Sequence, residues 1–123
     1  YLGFLSPLCN LLGSASYTAT KSSVFGYANQ IGQTATSNNA SDVGYKNTVT
    51  NGNGSFAAGY LNNIGTLALA SRGLAIGSLN SVQSVTASGV GYQNYVGTAA
   101  FTALKSSAFG HGNQIGQTAN ANY

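Results

Sequence analysis

The chain has 123 residues and only four cations, Lys21, Lys46, Arg72 and Lys105, against a single acid, Asp42. Charged residues make up 4% of it and hydrophobic ones 43%, which excludes disorder driven by charge and low hydrophobicity. With one Asp, no Glu, one His and one Cys, most catalytic and metal-binding inventories are missing, so no enzyme and no cofactor are expected.

Residues 1–12 (YLGFLSPLCNLL) are the most apolar stretch. They lack a basic lead-in, carry Pro7, and fall short of the roughly 20 residues needed to span a bilayer. They read as an apolar lead-in or cap that docks on the layer that follows. Cys9 is alone, so no disulfide framework is expected and its simplest role is that of a small buried hydrophobe. Residue 1 is Tyr and the chain has no Met, from which a segment of a longer repeat protein is expected.

Residues 13–123 form one repeat domain. Six segments align on a glycine: SVFGYANQI (23–31), SDVGYKNTV (41–49), FAAGYLNNI (56–64), LAIGSLNSV (74–82), SGVGYQNYV (88–96) and SAFGHGNQI (107–115). The anchors are Gly26, Gly44, Gly59, Gly77, Gly91 and Gly110. Three residues on stands Asn29, Asn47, Asn62, Asn80, Asn94 or Asn113, and five residues on a β-branched aliphatic, in all six copies. Residues 18–35 and 102–119 also match at 14 of 18 positions, the mark of a duplicated multi-coil block.

This pattern predicts an all-β fold, a parallel β-roll or β-solenoid of about six coils. Apolar residues at −1, +1 and +5 from the glycine suggest strands with those positions turned inward, while abundant Gly, Ser, Thr and Asn disfavour helix. On this reading the tyrosines after the glycine, Tyr27, Tyr45, Tyr60 and Tyr92, pack inside rather than form a ligand-binding aromatic ladder. The glycine suits a close approach or a positive φ at the bend. The asparagine suits a left-handed turn and an amide ladder along the axis. Anchor spacings of 18, 15, 18, 14 and 19 residues imply a basic coil of 14 with the remainder looped out at a corner. The variation is expected in 37–40, 51–54 and 99–104, and the candidate ligand-contacting loop residues are Ser37, Asn38, Asn39, Asn51, Asn53, Arg72, Thr102 and Lys105. A roll this thin leaves one apolar face wet, which predicts oligomerisation about a central axis.

The remaining signals are weak. His111 replaces a column tyrosine and lies four coils from Asp42, ~19 Å along the axis, too far for a hydrogen-bonded relay. The cations are spread singly, so no nucleic-acid partner is expected. Thr18, Thr20, Thr34, Thr36, Thr48 and Thr50 evoke the flat arrays of ice-binding solenoids, but their offsets from the anchors differ.

The repeated S-x-x-G-Y-x-N-x-[VI] resembles the head repeats of trimeric autotransporter adhesins, the YadA-like family of bacterial surface proteins, over roughly residues 13–122. Ser78 and His111 depart from the pattern, as do the long, irregular coils. The resemblance implies a left-handed parallel β-roll in a homotrimer at the outer surface of a Gram-negative cell. There it would bind host matrix proteins or abiotic surfaces. Two other expectations share these residues: a subunit that self-assembles end to end into an extracellular filament, and a receptor-binding segment of a phage fibre.

Overall fold

The computed structural model describes residues 10–14, 16, 18–33, 36–65, 71–98 and 103–116. They form thirteen strands, β1–β13, alternating long and short along the chain. The long ones are β2 (Ser23–Tyr27), β4 (Ser41–Tyr45), β6 (Phe56–Tyr60), β8 (Leu74–Ser78), β10 (Ser88–Tyr92) and β12 (Ser107–His111). They pair in parallel, in the order β12-β10-β8-β6-β4-β2. The short ones form a second parallel sheet: β1 (Leu11–Leu12), β3 (Gln30–Ile31), β5 (Thr48–Val49), β7 (Asn63–Ile64), β9 (Ser81–Val82), β11 (Tyr95–Val96) and β13 (Gln114–Ile115). The chain is therefore a β-solenoid of about five turns.

Register follows the sequence repeat. The six anchor glycines stand opposite one another in one column, Gly26↔Gly44↔Gly59↔Gly77↔Gly91↔Gly110. Leu11–Leu12, at the end of the apolar lead-in, add a further rung by pairing with Gln30–Ile31. Residues 1–9, the rest of that stretch and the site of Cys9, lie outside the described residues.

The inward face differs from the one expected. The side chains buried in each coil are those at −2 (Val24, Asp42, Ala57, Ala75, Ala108), at +3 (the asparagines) and at +5, where Ile31, Val49, Ile64, Val82 and Val96 are fully covered. Positions −1 and +1 point outward. The reason lies in the backbone between them. The anchor glycines hold φ between 108° and 125°, and the residue two later is left-handed: Ala28 (54°), Lys46 (53°), Leu61 (52°), Leu79 (59°), Gln93 (54°) or Gly112 (70°). A corner of this kind resets the alternation, so counting by twos across it assigns the long strand to the wrong face. The asparagine is not the left-handed residue; its predecessor is.

The core is thin because one β-branched aliphatic per coil meets mostly Ala and Ser. Burying that one side chain contributes roughly 1.5–3 kcal/mol per coil. Position −4 is small and buried in every coil (Ser22, Ala40, Ser55, Gly73, Ala87, Ser106), as is −7 where described (Ala19, Ser37, Gly52, Ser84, Ala103). Several of these serines satisfy backbone amides of the next coil. Ala40 N donates to Ser22 Oγ at 3.1 Å, Gly73 N to Ser55 Oγ at 2.9 Å and Ala103 N to Ser84 Oγ at 2.7 Å.

Main-chain bonds link successive coils on both sides of the remaining corner. At +6, Gly32 N donates to Val49 O and Gly65 N to Val82 O; near −7, Ser37 N donates to Thr18 O. The invariant frame thus runs from −7 to +6, fourteen residues. All length variation falls between +6 of one coil and −7 of the next, in 33–36, 51, 66–69 and 98–102, with nothing added between Gln83 and Ser84. Residues 37–40 and 52–54, expected to vary, belong to the frame.

Candidate functional site

Three surfaces could do chemistry or recognition: the polar ladder inside, the outer face of the long sheet, and the corners. Inside, Asn29, Asn47, Asn62, Asn80 and Asn94 each tie three coils together. The two N–H groups of Asn62 Nδ2 are shared among Asn47 Oδ1 (3.1 Å), Ala58 O in its own coil (2.9 Å) and Gly77 O in the next (2.9 Å), while its backbone N–H also donates to Asn47 Oδ1 (3.0 Å). The same set recurs at Asn29, Asn47, Asn80 and Asn94, and Asn10 heads the column with Nδ2 on Gly26 O at 2.8 Å. A buried amide with every donor and acceptor used is an internal fastener, and its removal strands buried backbone groups at 1–3 kcal/mol each. The expected Asn ladder is present as structure.

The glycine column serves the same contact. A Cβ at Gly26, Gly44, Gly59, Gly77 or Gly91 would stand 2.0–2.1 Å from the carbonyl oxygen of the next anchor. A close approach or a positive φ is what the repeated glycine is expected to serve. Both hold, although the glycine sits within the strand rather than at the bend.

Asp42 is the exception in this interior. It occupies the −2 column opposite Val24 and Ala57, is fully buried, and neither carboxyl oxygen has a hydrogen-bond partner. Burial pushes the carboxyl from its ordinary 3.8 up to about 8. The backbone amide of Gln30 pulls weakly the other way, but that N–H is already donated to Asn47 O at 2.9 Å. A neutral carboxylic acid therefore sits inside the roll at neutral pH. It faces inward on β4, whereas His111 is exposed on β12, four strands away in the same sheet.

On the outer face of the long sheet, two columns run side by side. One is Phe25, Val43, Ala58, Ile76, Val90 and Phe109, with Phe25 54% and Phe109 68% exposed. The other is Tyr27, Tyr45, Tyr60, Ser78, Tyr92 and His111. Tyr27 and Tyr45 stack with centroids 5.2 Å apart and planes at 14°, Tyr45 and Tyr60 at 5.3 Å and 13°. Tyr92 and His111 continue the column at 5.1 Å, tilted by 39°. The tyrosines expected inside are on the surface, because the inward positions of the strand hold only small residues. That run of Val, Asp, Ala, Ala, Gly and Ala at −2 was the signal: in so thin a roll the small column is the core and the large ones are not.

The candidate loop residues separate into distinct roles. Ser37 is buried, its hydroxyl accepting from Gly52 N at 3.1 Å. Asn38 Oδ1 accepts from Thr20 N (2.9 Å) and Thr20 Oγ1 (2.8 Å), and Asn38 N donates to Asn53 Oδ1 (2.7 Å), so both amides brace the frame. Asn51 is half-buried at the variable corner. Asn39, Arg72 and Lys105 are exposed and share one column, five residues before their glycines. Thr102 lies outside the described residues. No protein-family model, no curated protein and no solved structure matches the chain.

Proposed function

We propose that the chain is a non-catalytic adhesion module of a bacterial cell surface, the head of a YadA-like trimeric adhesin. Three chains pack the outer faces of their long sheets around one axis and present the variable corner to host matrix or an abiotic surface. The observation that carries this reading is the apolar face of Phe25, Val43, Ile76 and Phe109, uncovered in a single chain. A contiguous apolar column over six strands, ~24 Å along the axis, is what a chain in water covers with a partner. Further copies supply identical columns at identical heights. The surface also offers little charge repulsion against such packing, with 4% charged residues in the whole chain.

Insertions confined to one corner fit a ligand-presenting role, since loops on a rigid frame vary without cost to it. The coil from Gly77 to Gly91 has none, so the frame itself does not need them.

Native mass by light scattering after size exclusion, read at several concentrations, tests the assembly. A constant value of three times 12.4 kDa is expected. A monomer overturns the trimer, and a mass that grows with concentration replaces it with end-to-end assembly. Deleting 33–36 and 98–102 together tests the function. The shortened chain should keep the number of chains per assembly and the melting temperature of the parent and lose attachment to matrix-coated surfaces. Undiminished attachment would overturn the loop-borne adhesion reading.

A further inference from the structure

Cations that look scattered in the sequence fall on one line in the structure. The left-handed turn residue at −5 is Lys21, Asn39, Gly54, Arg72, Thr86 and Lys105 in coils one to six. Every one is exposed. The column is held in register by main-chain bonds from each coil to the one before: Asn39 N to Thr20 O (2.9 Å), Gly54 N to Asn38 O (2.8 Å), Arg72 N to Asn53 O (2.8 Å), Thr86 N to Ser71 O (2.9 Å) and Lys105 N to Val85 O (3.3 Å). Three of the four cations of the chain therefore stand along one corner. Arg72 leans along it, its Cγ 3.6 Å from where a Cβ on Gly54 would be. The fourth, Lys46, is at the opposite corner, its Nζ 5.3 Å from the Tyr45 ring centroid.

No acidic side chain on the surface balances this edge. The one acidic side chain, Asp42, is inside the roll. The positions flanking this column are mixed: Thr20, Asn38, Asn53 and Ser71 at −6 and Ser23, Ser41, Ser88 and Ser107 at the first residue of their strands carry hydroxyls and amides, while Val85 and Leu104 at −6 and Phe56 and Leu74 at the strand starts are apolar.

We propose that this corner binds a linear acidic polysaccharide laid parallel to the solenoid axis. Coil rise is ~4.8 Å, so Lys21 and Arg72 are three coils or ~14 Å apart, and Arg72 and Lys105 two coils or ~10 Å. One coil rise is close to the length of one pyranose ring in an extended chain. The cations thus meet one acid group every two or three sugars while the hydroxyls and amides between them meet sugar hydroxyls. Duplex DNA, with a charge every ~1.7 Å of axis, is matched by clustered cations and not by single ones at this spacing. The inference deepens the adhesion reading by naming a ligand class, but its geometry belongs to one chain and does not depend on the trimer.

Affinity electrophoresis of the whole chain through gels holding polygalacturonate, dextran sulfate or neutral dextran, at ~0.15 M salt, tests it. Retention by polygalacturonate and dextran sulfate, and none by neutral dextran, is expected. Arg72→Asn should weaken it roughly fivefold, the fall typical of one cation near an anionic surface. Asn keeps the turn, since Asn39 occupies the same column. The triple variant Lys21→Asn/Arg72→Asn/Lys105→Asn should retain under a tenth of the binding, and Lys46→Asn nearly all of it. Four results would each overturn the inference: no retention of the parent by either charged polymer, a triple variant that binds like the parent, loss on Lys46→Asn equal to that on Arg72→Asn, or equally strong retention by duplex DNA. Native mass and matrix attachment of the same samples report separately on the adhesin head, so failure of the one reading is distinguishable from failure of the other.

Discussion

Gly59→Ala is expected to abolish the folded state, while Gly112→Ala changes stability by about 1 kcal/mol or less. Both glycines have positive φ, and although 118° is less accessible to an L-residue than 70°, that difference of ~1–3 kcal/mol does not by itself decide between folding and unfolding. Space does. A Cβ on Gly59 would stand 2.0 Å from Gly77 O, whereas one on Gly112 meets nothing within 4 Å. Gly77 O cannot simply retreat, because it accepts the Nδ2 donation of Asn62 at 2.9 Å. Relieving the clash means opening the long sheet between coils three and four and stranding a buried amide. Those costs, with ~1–3 kcal/mol for an L-residue at that φ, approach the 5–15 kcal/mol that stabilises a whole domain. Gly112, in contrast, occupies the column where Ala28, Lys46 and Leu61 already adopt φ near 53°. Thermal unfolding followed by circular dichroism decides the matter. The first variant should show no cooperative transition and the second a midpoint within a few degrees of the parent. A cooperative Gly59→Ala transition near the parent midpoint would mean that the stack is looser than the ladder requires.

That pairing of glycine and asparagine also explains how far the sequence could be read. Both columns repeat without exception because each has a single physical solution: no other residue leaves room for Gly77 O, and no other side chain supplies Oδ1 and Nδ2 at that depth. Identity across copies then gave register directly, and the strands pair as the alignment placed them. The orientation of the long strand was not legible in the same way. Alternation is a local rule, and the left-handed residue at +2 breaks it inside the motif. Val24 and Phe25 are both apolar, and only a count of volumes, with Ala or Gly at −2 in four coils, shows which of them a roll this thin can enclose.

The corners were misread for a related reason. Variable spacing draws attention to segments that look loop-like, and 37–40 and 52–54 are rich in Asn, Ser and Gly. Yet Ser37 and Gly52 are buried and hydrogen-bonded to each other, because a solenoid corner is built from the same small polar residues as a loop. The cation column was accessible by counting back five from each glycine, but only the backbone shows that this position is a turn. The fold, in short, follows from what repeats, whereas the surfaces open to a partner consist of what does not.

Among the described residues Asp42 is the frame position whose buried side chain lacks a hydrogen-bond partner, and replacing it should strengthen the roll in a pH-dependent way. Below about pH 4 the carboxyl is protonated both folded and unfolded, and it makes stability no more sensitive to pH. Between about 4 and about 8 the unfolded chain releases the proton and the folded one keeps it, so stability falls as pH rises, by up to ~1.4 kcal/mol per unit. Above about 8 the folded form ionises as well and the dependence ends. Asp42→Val places in coil two the residue that Val24 supplies to the same column in coil one. Its advantage over the parent should be smallest near pH 4 and reach a few kcal/mol near pH 8, a rise in melting midpoint of roughly 10 °C. Asp42→Asn removes the titration but leaves a buried amide with the same lack of partners, so it should flatten the pH profile with a smaller gain. The comparison is made between variants at each pH, so other titrating groups cancel. A parent whose stability does not fall over this window relative to Asp42→Val would mean that the carboxyl finds water or a partner in solution, and that the roll opens at coil two more readily than its ladder allows.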